Sequence, residues 1–333
     1  MQQRRFGDTD LHASEVAFGT WALGSDWWGK TDDPDRLIGR ALDLGITFFD
    51  TGDAYGQGAN EEIVGRALRR ADRDRIQIST KFGYVLDSER QQHSEGERPS
   101  DWSPEHARAA LEASLRRLGT DHVDLYQLHN PRMDAIERDD LFAELESLRD
   151  EGKLRAYGVA LGPAIGWRDE GLRAFETRDI TALQTVYNLL EQEPGSEFLA
   201  AAEQHGGAVM ARVPTSSGLL EDKYTLATTF SGSDHRRHRP REWLVDGLKK
   251  IDQLRFLVID GERSMAQAAL KFILQQPRMA CVIPTITSMA ELEEFAGAAG
   301  APDLTPDELA RVDELYRSGF GLAAATSGAA SSG

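Results

Sequence analysis

The chain holds a single cysteine, Cys281. That excludes an intrachain disulfide and any multi-cysteine zinc or iron-sulfur site, and it suits a reducing compartment. Lysine is scarce too: Lys30, Lys81, Lys153, Lys223, Lys249, Lys250 and Lys271 stand among 38 Lys plus Arg, so a lysine in an apolar stretch is conspicuous. No apolar run approaches bilayer-spanning length, and Met1 to Asp10 lack the apolar h-region of a secretory signal. The expectation is a soluble, cytoplasmic protein with no membrane partner. Positive charge is in deficit, because 55 Asp plus Glu leave a net charge of -17. Such a chain repels phosphate backbones at long range, which disfavours nucleic acid as a partner. What is present is globular in character, with 40% hydrophobic and 28% charged residues near soluble averages. A length of 333 residues accommodates two ordinary domains or one large α/β barrel.

Short apolar runs alternate with helix-period segments from residue 16 to about 295. The runs predict strands at Val16 to Phe18, Thr47 to Phe49, Ile76 to Thr80, Val123 to Leu128, Ala156 to Ala160, Ala182 to Tyr187, Ala208 to Ala211 and Cys281 to Ile283. Between them lie amphipathic helices such as Pro104 to Leu118, with Ser103 as its cap, Pro104 at its first position and Gly119 as its stop. Eight strand-helix units favour a parallel, closed (β/α)8 barrel, so residues 1-317 are expected to form a single domain. Residues 4 to 13 suggest a hairpin that plugs the barrel floor. Residues 84 to 102 and 213 to 240 are long loops after the third and seventh strands, on the face where a barrel carries its chemistry. The Ala/Gly/Ser-rich tail, 318-333, is expected to be frayed.

Gly24 to Thr31 fits the nucleotide-triphosphate pattern G-x-x-x-x-G-K-T. Two tryptophans in that stretch and the following Asp32, Asp33 and Asp35 argue against a loop that wraps phosphate, so a P-loop NTPase is a remote alternative. A second constellation is stronger, because its members recur at one structural position. Asp50, Lys81 and His129 end the second, third and fourth strands, and Tyr55 follows Asp50 by five residues. The carboxyl ends of barrel strands line one mouth, where these groups converge. A cation beside a phenol favours phenolate, which equips Tyr55 as a proton donor and acceptor with Lys81 as its tuner. Asp50 would hold the lysine, and His129 would hydrogen-bond the reacting oxygen, an arrangement suited to carbonyl reduction by hydride.

Phe49 to Gly56, Ser79 to Gly83 and Leu128 to Pro131 resemble the three signature segments of the aldo-keto reductase superfamily. Similarity extends through Phe18 to Trp21, Ser114 to Asp121, Leu270 to Phe272 and Val282 to Pro284, covering about residues 3 to 317. The resemblance implies a TIM barrel and an NAD(P)-dependent oxidoreductase with Asp50, Tyr55, Lys81 and His129 as its catalytic tetrad. It assigns cofactor contacts to Gly19, Thr20, Trp21, Asp50, Gln184, Arg212, Pro214, Thr215, Ser217, Gly218, Leu219, Thr285, Ser288 and Glu291. Trp21, Trp28, Tyr55, His129 and Asn130 are the expected substrate contacts; no metal is expected. Two departures stand out. Arg212 replaces the aromatic that usually stacks on the nicotinamide, and a planar guanidinium also stacks. Ala160-Leu161 replaces the usual Ser-Asn pair, which removes the side chains that usually bond the carboxamide.

Thr285 and Glu291 stand where NADPH-specific relatives place cations, and an acidic residue suits a ribose hydroxyl better than a phosphate, so NAD acceptance is expected with NADP left open. The basic run His235 to Arg241 is read as solvated loop, with a phosphate clamp as the competing reading. Trp102 divides between pocket lining and packing, as does Trp27. Asp87 and Arg90 would suit a polyhydroxylated substrate. The expected activity is reversible hydride transfer between a nicotinamide and an aldehyde, ketone or sugar hydroxyl. The rival is a cofactor-binding redox sensor with slow turnover.

Overall fold

The computed structural model describes residues 1–24, 28, 31–69, 71–86, 99–162, 167–232 and 234–322. An antiparallel pair comes first, β1 (Gln3–Arg5) and β2 (His12–Ser14). Eight parallel strands follow: β3 (Phe18–Gly19), β4 (Phe48–Asp50), β5 (Gln77–Phe82), β6 (Val123–His129), β7 (Leu154–Ala160), β8 (Ala182–Val186), β9 (Ala208–Arg212) and β10 (Met279–Ile283). Each pairs with the next in chain order. Bridges from Val16 to Val282 and from Gly19 to Thr285 close the ring. A Cβ on Gly19 would lie 2.6 Å from the Pro284 carbonyl oxygen, so the closure there needs glycine. The expected barrel and hairpin are both present. The apolar run is engaged from Val16, but only by an isolated bridge to Val282 in which Ala17 N–H donates to Val282 O at 2.9 Å, and the regular strand starts at Phe18.

Alternation along the strands sorts the core into two clusters. Phe48, Leu125, Ala156, Ala182, Ala208, Met210, Cys281 and Ile283 gather with Phe6, Leu11 and Ala13 of the hairpin in the lumen. The residues between them join the larger cluster under the helices. The hairpin seals the end where strands begin: Asp8 N–H donates to Gly206 O at 2.8 Å, and Arg4 Nη1 to Met279 O at 3.1 Å. Around the ring the helices carry the signals expected of them. In Pro104–Leu118, Ser103 accepts from the His106 N–H, Gly119 closes at φ 68°, and Ala107, Leu111, Leu115 and Leu118 are buried.

Two sequence expectations need correction, and one open reading is decided. Arg236, in the basic run read as solvated, is buried; its guanidinium lies 4.6 Å from the Trp28 ring and 5.0 Å from Phe230, and it donates to Tyr224 Oη at 2.5 Å. Aromatic neighbours brought by the fold shelter a cation that the local sequence leaves exposed. The tail does not fray from residue 318: Phe320 is buried, and its carbonyl accepts from Gln253 at 2.9 Å. Residues 323–333 lie outside the described residues. Trp102 is core, 5.9 Å from the Phe82 ring, and a Cβ on Gly83 would meet it at 2.2 Å. The loop that Trp102 ends is zipped at its base by a Tyr84–Ser100 bridge, while residues 87–98, with Asp87 and Arg90, lie outside the described residues, as does Trp27. Among the described residues no helix is long and apolar enough to cross a membrane.

Phe6 is fully buried, with its ring 5.3 Å from that of Phe48. Replacing it, Phe6→Ala, should lower unfolding stability by about 3–5 kcal/mol through lost burial and a cavity. Urea denaturation reads this directly, and a loss below ~1 kcal/mol would mean that the floor does not depend on the hairpin.

Candidate active site at the barrel mouth

Each polar residue of the site sits two places beyond a lumen-facing neighbour, and so faces inward at the C-terminal end of its strand. Asp50 follows Phe48, Lys81 follows Ser79, His129 follows Gln127, Gln184 follows Ala182, and Arg212 follows Met210. At the centre Lys81 Nζ donates to Asp50 Oδ2 at 2.6 Å and to Thr51 O at 2.6 Å. The other Asp50 oxygen accepts from Gln127 Nε2 at 3.2 Å and Gln184 Nε2 at 3.1 Å. Lys81 is completely buried. Burial works to lower its pKa, but the charges of Asp50 and Tyr55, with hydrogen bonds to both, hold it above the ordinary lysine value.

Tyr55 stands over this pair, its ring 5.0 Å from Lys81 Nζ and 5.6 Å edge-on from that of His129. It is delivered by a tight turn, in which Tyr55 N–H donates to Gly52 O at 3.0 Å and Gly56 and Gln57 take left-handed conformations. The four tetrad residues are thereby brought together. Tyr84 completes this wall, its ring 4.9 Å from His129 and its hydroxyl accepting from Asn130 Nδ2 at 2.6 Å. Gln127 and Tyr84 went unremarked in the sequence. Strand alternation between Leu125 and His129 carried the signal for Gln127; nothing local carried one for Tyr84.

The remaining positions form a rim. Thr20 clamps the end of β4, donating N–H and Oγ1 to Asp50 O, each at 3.0 Å. Trp21 and Trp28 lie 5.3 Å apart, and His235 stacks on Trp28 at 4.2 Å. Desolvation, helped by Arg236, lowers the His235 pKa to about 4, so the ring is neutral at pH 7. In the loop after β9, Val213, Ser216 and Ser217 have φ of 54°, 48° and 57°, a region that side-chain-bearing residues rarely adopt. Thr215 Oγ1 donates to Glu221 at 2.7 Å, and Ser217 O accepts from Tyr224 at 3.0 Å; Pro214, Gly218 and Leu219 belong to the same turn. Thr285 lies where β10 closes on Gly19.

Beyond it begins the helix Met289–Gly297, where Ser288 caps the Glu291 N–H. Glu291 is engaged: it accepts from Thr287 N and Oγ1 at 2.8 and 2.7 Å, and from Lys223 Nζ at 2.9 Å. Asp32 accepts from Met289 N at 3.0 Å. Two carboxylates therefore occupy this helix start, and Asp32 and Lys223 join the site unforeseen. Of the P-loop match, residues 25–27, 29 and 30 lie outside the described residues. The next helix, Pro34–Asp43, has Asp33 accepting from Asp35 and Arg36 amides, so a carboxylate fills the place a phosphate would need.

A closed barrel of parallel strands with acid, phenol, lysine and imidazole at one mouth defines a class of oxidoreductase, and comparison with known proteins agrees. The model of the aldo/keto reductase family matches residues 15–317, and the chain belongs to that family. It is similar to aldo-keto reductase YhdN of Bacillus subtilis (strain 168), 34% identical over 302 residues and covering 83% of this chain and 82% of that one. Two solved structures are also similar. The glycerol dehydrogenase AKR11B4 from Gluconobacter oxydans is 30% identical, with TM-score 0.79 and 95% of each chain covered. The holo form of aldo-keto reductase AKR11C1 from Bacillus halodurans is 28% identical, with TM-score 0.76, covering 95% of this chain and 96% of its own.

Behind the tyrosine lies a second acidic group. Asp53 is buried, and desolvation, with the charge of buried Glu61 adding to it, pushes its pKa up to about 8 against the counter-pull of Arg117 and Lys81. Glu61 accepts from Thr80 at 2.5 Å and Arg117 at 2.6 Å. Folded Asp53 keeps its proton up to about pH 8, whereas the unfolded group loses it near 3.8. The folded state binds the extra proton within that window, so rising pH removes stability there. Asp53→Asn should abolish this component: the urea midpoint of the variant relative to wild type rises between pH 4 and 8, and a pH-independent difference would refute the protonated state.

Proposed function

We propose that this protein catalyses reversible carbonyl reduction with a nicotinamide dinucleotide, using Tyr55 as proton donor. The observation that carries the reading is a phenol set over a fully buried lysine, 5.0 Å from ring centre to Nζ, with His129 edge-on beside it. In this reading the carbonyl oxygen lies between the Tyr55 hydroxyl and His129. Lys81 stabilises negative charge on the phenol oxygen, and Asp50 keeps Lys81 charged and oriented.

Gln184, Arg212, the strained turn at 213–219 and the helix start at Ser288 are the groups that would hold the dinucleotide. The residues present fit such a group: Arg212 Nε is buried with no hydrogen-bond partner, as are Gln127 Oε1 and Thr51 Oγ1. When bound, the nicotinamide supplies the hydride received by the carbonyl carbon. Asn130 and Tyr84 beside His129, and the neutral His235 on the tryptophan rim, offer polar atoms to a hydroxylated aldehyde, ketone or sugar. The glycerol dehydrogenase name of the Gluconobacter neighbour supports that substrate class.

NAD(H) is the favoured cofactor. At the start of Met289–Gly297 the amides of Thr287, Met289 and Glu291 are satisfied by Glu291, Asp32 and Ser288. A 2′-phosphate would have to displace two carboxylates and then face them, whereas a ribose hydroxyl can donate to one of them.

Tyr55→Phe should reduce kcat at least about a hundredfold while leaving dinucleotide affinity within a few-fold, because it removes the proton donor and little else. Steady-state turnover on a panel of aldehydes, ketones and sugars, with binding followed by fluorescence, measures both; unchanged kcat would refute the role of Tyr55. Multiple rapid turnovers by the wild type separate an enzyme from a slow redox sensor. In the same titrations NADH should bind more tightly than NADPH, and Glu291→Gln should narrow the gap. A marked NADPH preference would refute the assignment.

A further inference from the structure

We infer that Arg212 gives the barrel mouth a net positive charge that disfavours the oxidised nicotinamide ring, so that this chain is electrostatically biased toward carbonyl reduction. The inference rests on the nicotinamide reading above. The charges facing the mouth among the described residues are few. Asp50 and Lys81 lie 2.6 Å apart and cancel. Tyr55, Tyr84 and His129 bring no fixed anion. Asp53 and Glu61 belong to a separate buried cluster whose cation is Arg117.

Arg212 remains. It is the last residue of β9, in register with Val186 of β8 and Ile283 of β10, and it faces the lumen two residues beyond Met210. Burial pulls the pKa of its guanidinium below the usual arginine value, and the neighbouring oxygens of Tyr55, Asp50 and Tyr84 oppose that pull without reversing it. An arginine stays protonated at pH 7 under such a pull. Among the described residues no carboxylate bonds it, and its Nε is buried without a partner. Among them it is the one uncompensated cation close to where hydride transfer to the Tyr55-bound carbonyl must occur.

The reaction itself changes charge at that spot. The carbonyl carbon gains a hydride from the reduced ring and its oxygen gains a proton from the Tyr55 hydroxyl. A ring that has given up its hydride would carry a positive charge, and solvent would return the proton to Tyr55. A fixed guanidinium in a poorly solvated mouth repels the cationic ring and not the neutral one. It also stabilises negative charge developing on the substrate oxygen. The first effect favours reduction and hastens departure of the oxidised cofactor; the second lowers the barrier shared by both directions.

The test is equilibrium binding of NADH, NAD+ and ADP-ribose to wild type, Arg212→Gln and Arg212→Lys, with NADPH and NADP+ as a second matched pair. Wild type should bind the reduced form more tightly than the oxidised form. Arg212→Gln should shrink that ratio about tenfold or more, mainly through tighter binding of the oxidised form, and Arg212→Lys should preserve it. ADP-ribose, which lacks the nicotinamide, should bind all three proteins alike. Equal affinity of wild type for the two redox forms overturns the inference, as does an unmoved ratio in Arg212→Gln. A uniform loss of affinity that includes ADP-ribose, the mark of a structural role, also overturns it. If neither dinucleotide pair binds wild type, the nicotinamide reading falls and takes this inference with it.

Discussion

A lysine and an aspartate 2.6 Å apart, deep in the mouth of a barrel, set the terms for everything around them. Removing two charges from water is expensive, and their attraction compensates only where geometry and further hydrogen bonds are good. Here they are supplied from several strands at once. β4 gives Asp50, β5 gives Lys81, β6 gives Gln127 and β8 gives Gln184, and the two amides share one Asp50 oxygen while Lys81 takes the other. No single loop could assemble that set. It requires a closed parallel sheet whose alternation presents a polar layer at one end of the lumen and an apolar layer beneath it. The hairpin at the opposite end serves the same requirement, since Phe6, Leu11 and Ala13 keep water from the floor of the layer on which the pair rests. With one partner removed, the other would be a buried, unpaired charge. The pair therefore couples the integrity of the barrel to the chemistry of its mouth.

The loops solve a different problem, that of holding long segments over the mouth of a strongly acidic protein. Scarce cations are placed between acids or aromatics. Lys223 bonds both Glu221 and Glu291 and ties the turn after β9 to the helix after β10. Arg236 pairs with Asp234 and packs on Trp28, Tyr224 and Phe230, tying the same loop to the segment after β3. The carboxylates that these loops carry are used internally, at the helix start that Asp32 and Glu291 fill.

Much of this was legible in the sequence because it is local. Ser103, Pro104 and Gly119 delimit a helix by capping physics alone, and the helix begins and ends where they indicate. Asp50, Lys81 and His129 were legible at one rim because each ends a strand, and the carboxyl ends of parallel barrel strands meet at one mouth. What escaped depends on contacts between distant segments. Arg236 lies within a basic run, and nothing nearby announces that Trp28, more than two hundred residues away, will cover it. Tyr84 meets His129 only because β5 and β6 are neighbours. Glu291 was read from the sequence as an acid suited to a ribose hydroxyl, but its partner Lys223 comes from a loop whose path no periodicity encodes. Phe320 lies in a composition that suggests a free tail, and one buried ring outweighs its glycine neighbours.

The contrast between the whole chain and its mouth follows from the same distinction. A net charge of -17 describes mostly exposed side chains, whose fields decay over about 10 Å at ordinary ionic strength. Charges buried or half-buried in the mouth are screened less, so a few groups there can outweigh the excess outside. Once Asp50 and Lys81 have cancelled, Arg212 sets the local sign, and it is opposite to the sign of the protein. At the helix start after β10, Asp32 and Glu291 reverse it again, with Lys223 as partial counterweight. A dinucleotide reaching from the mouth to that helix start would meet a positive field at its nicotinamide end and a negative one at its adenosine ribose. Because each field is made by a few buried or half-buried side chains at different places, the proposed redox bias and the proposed cofactor choice would be separable by substitution.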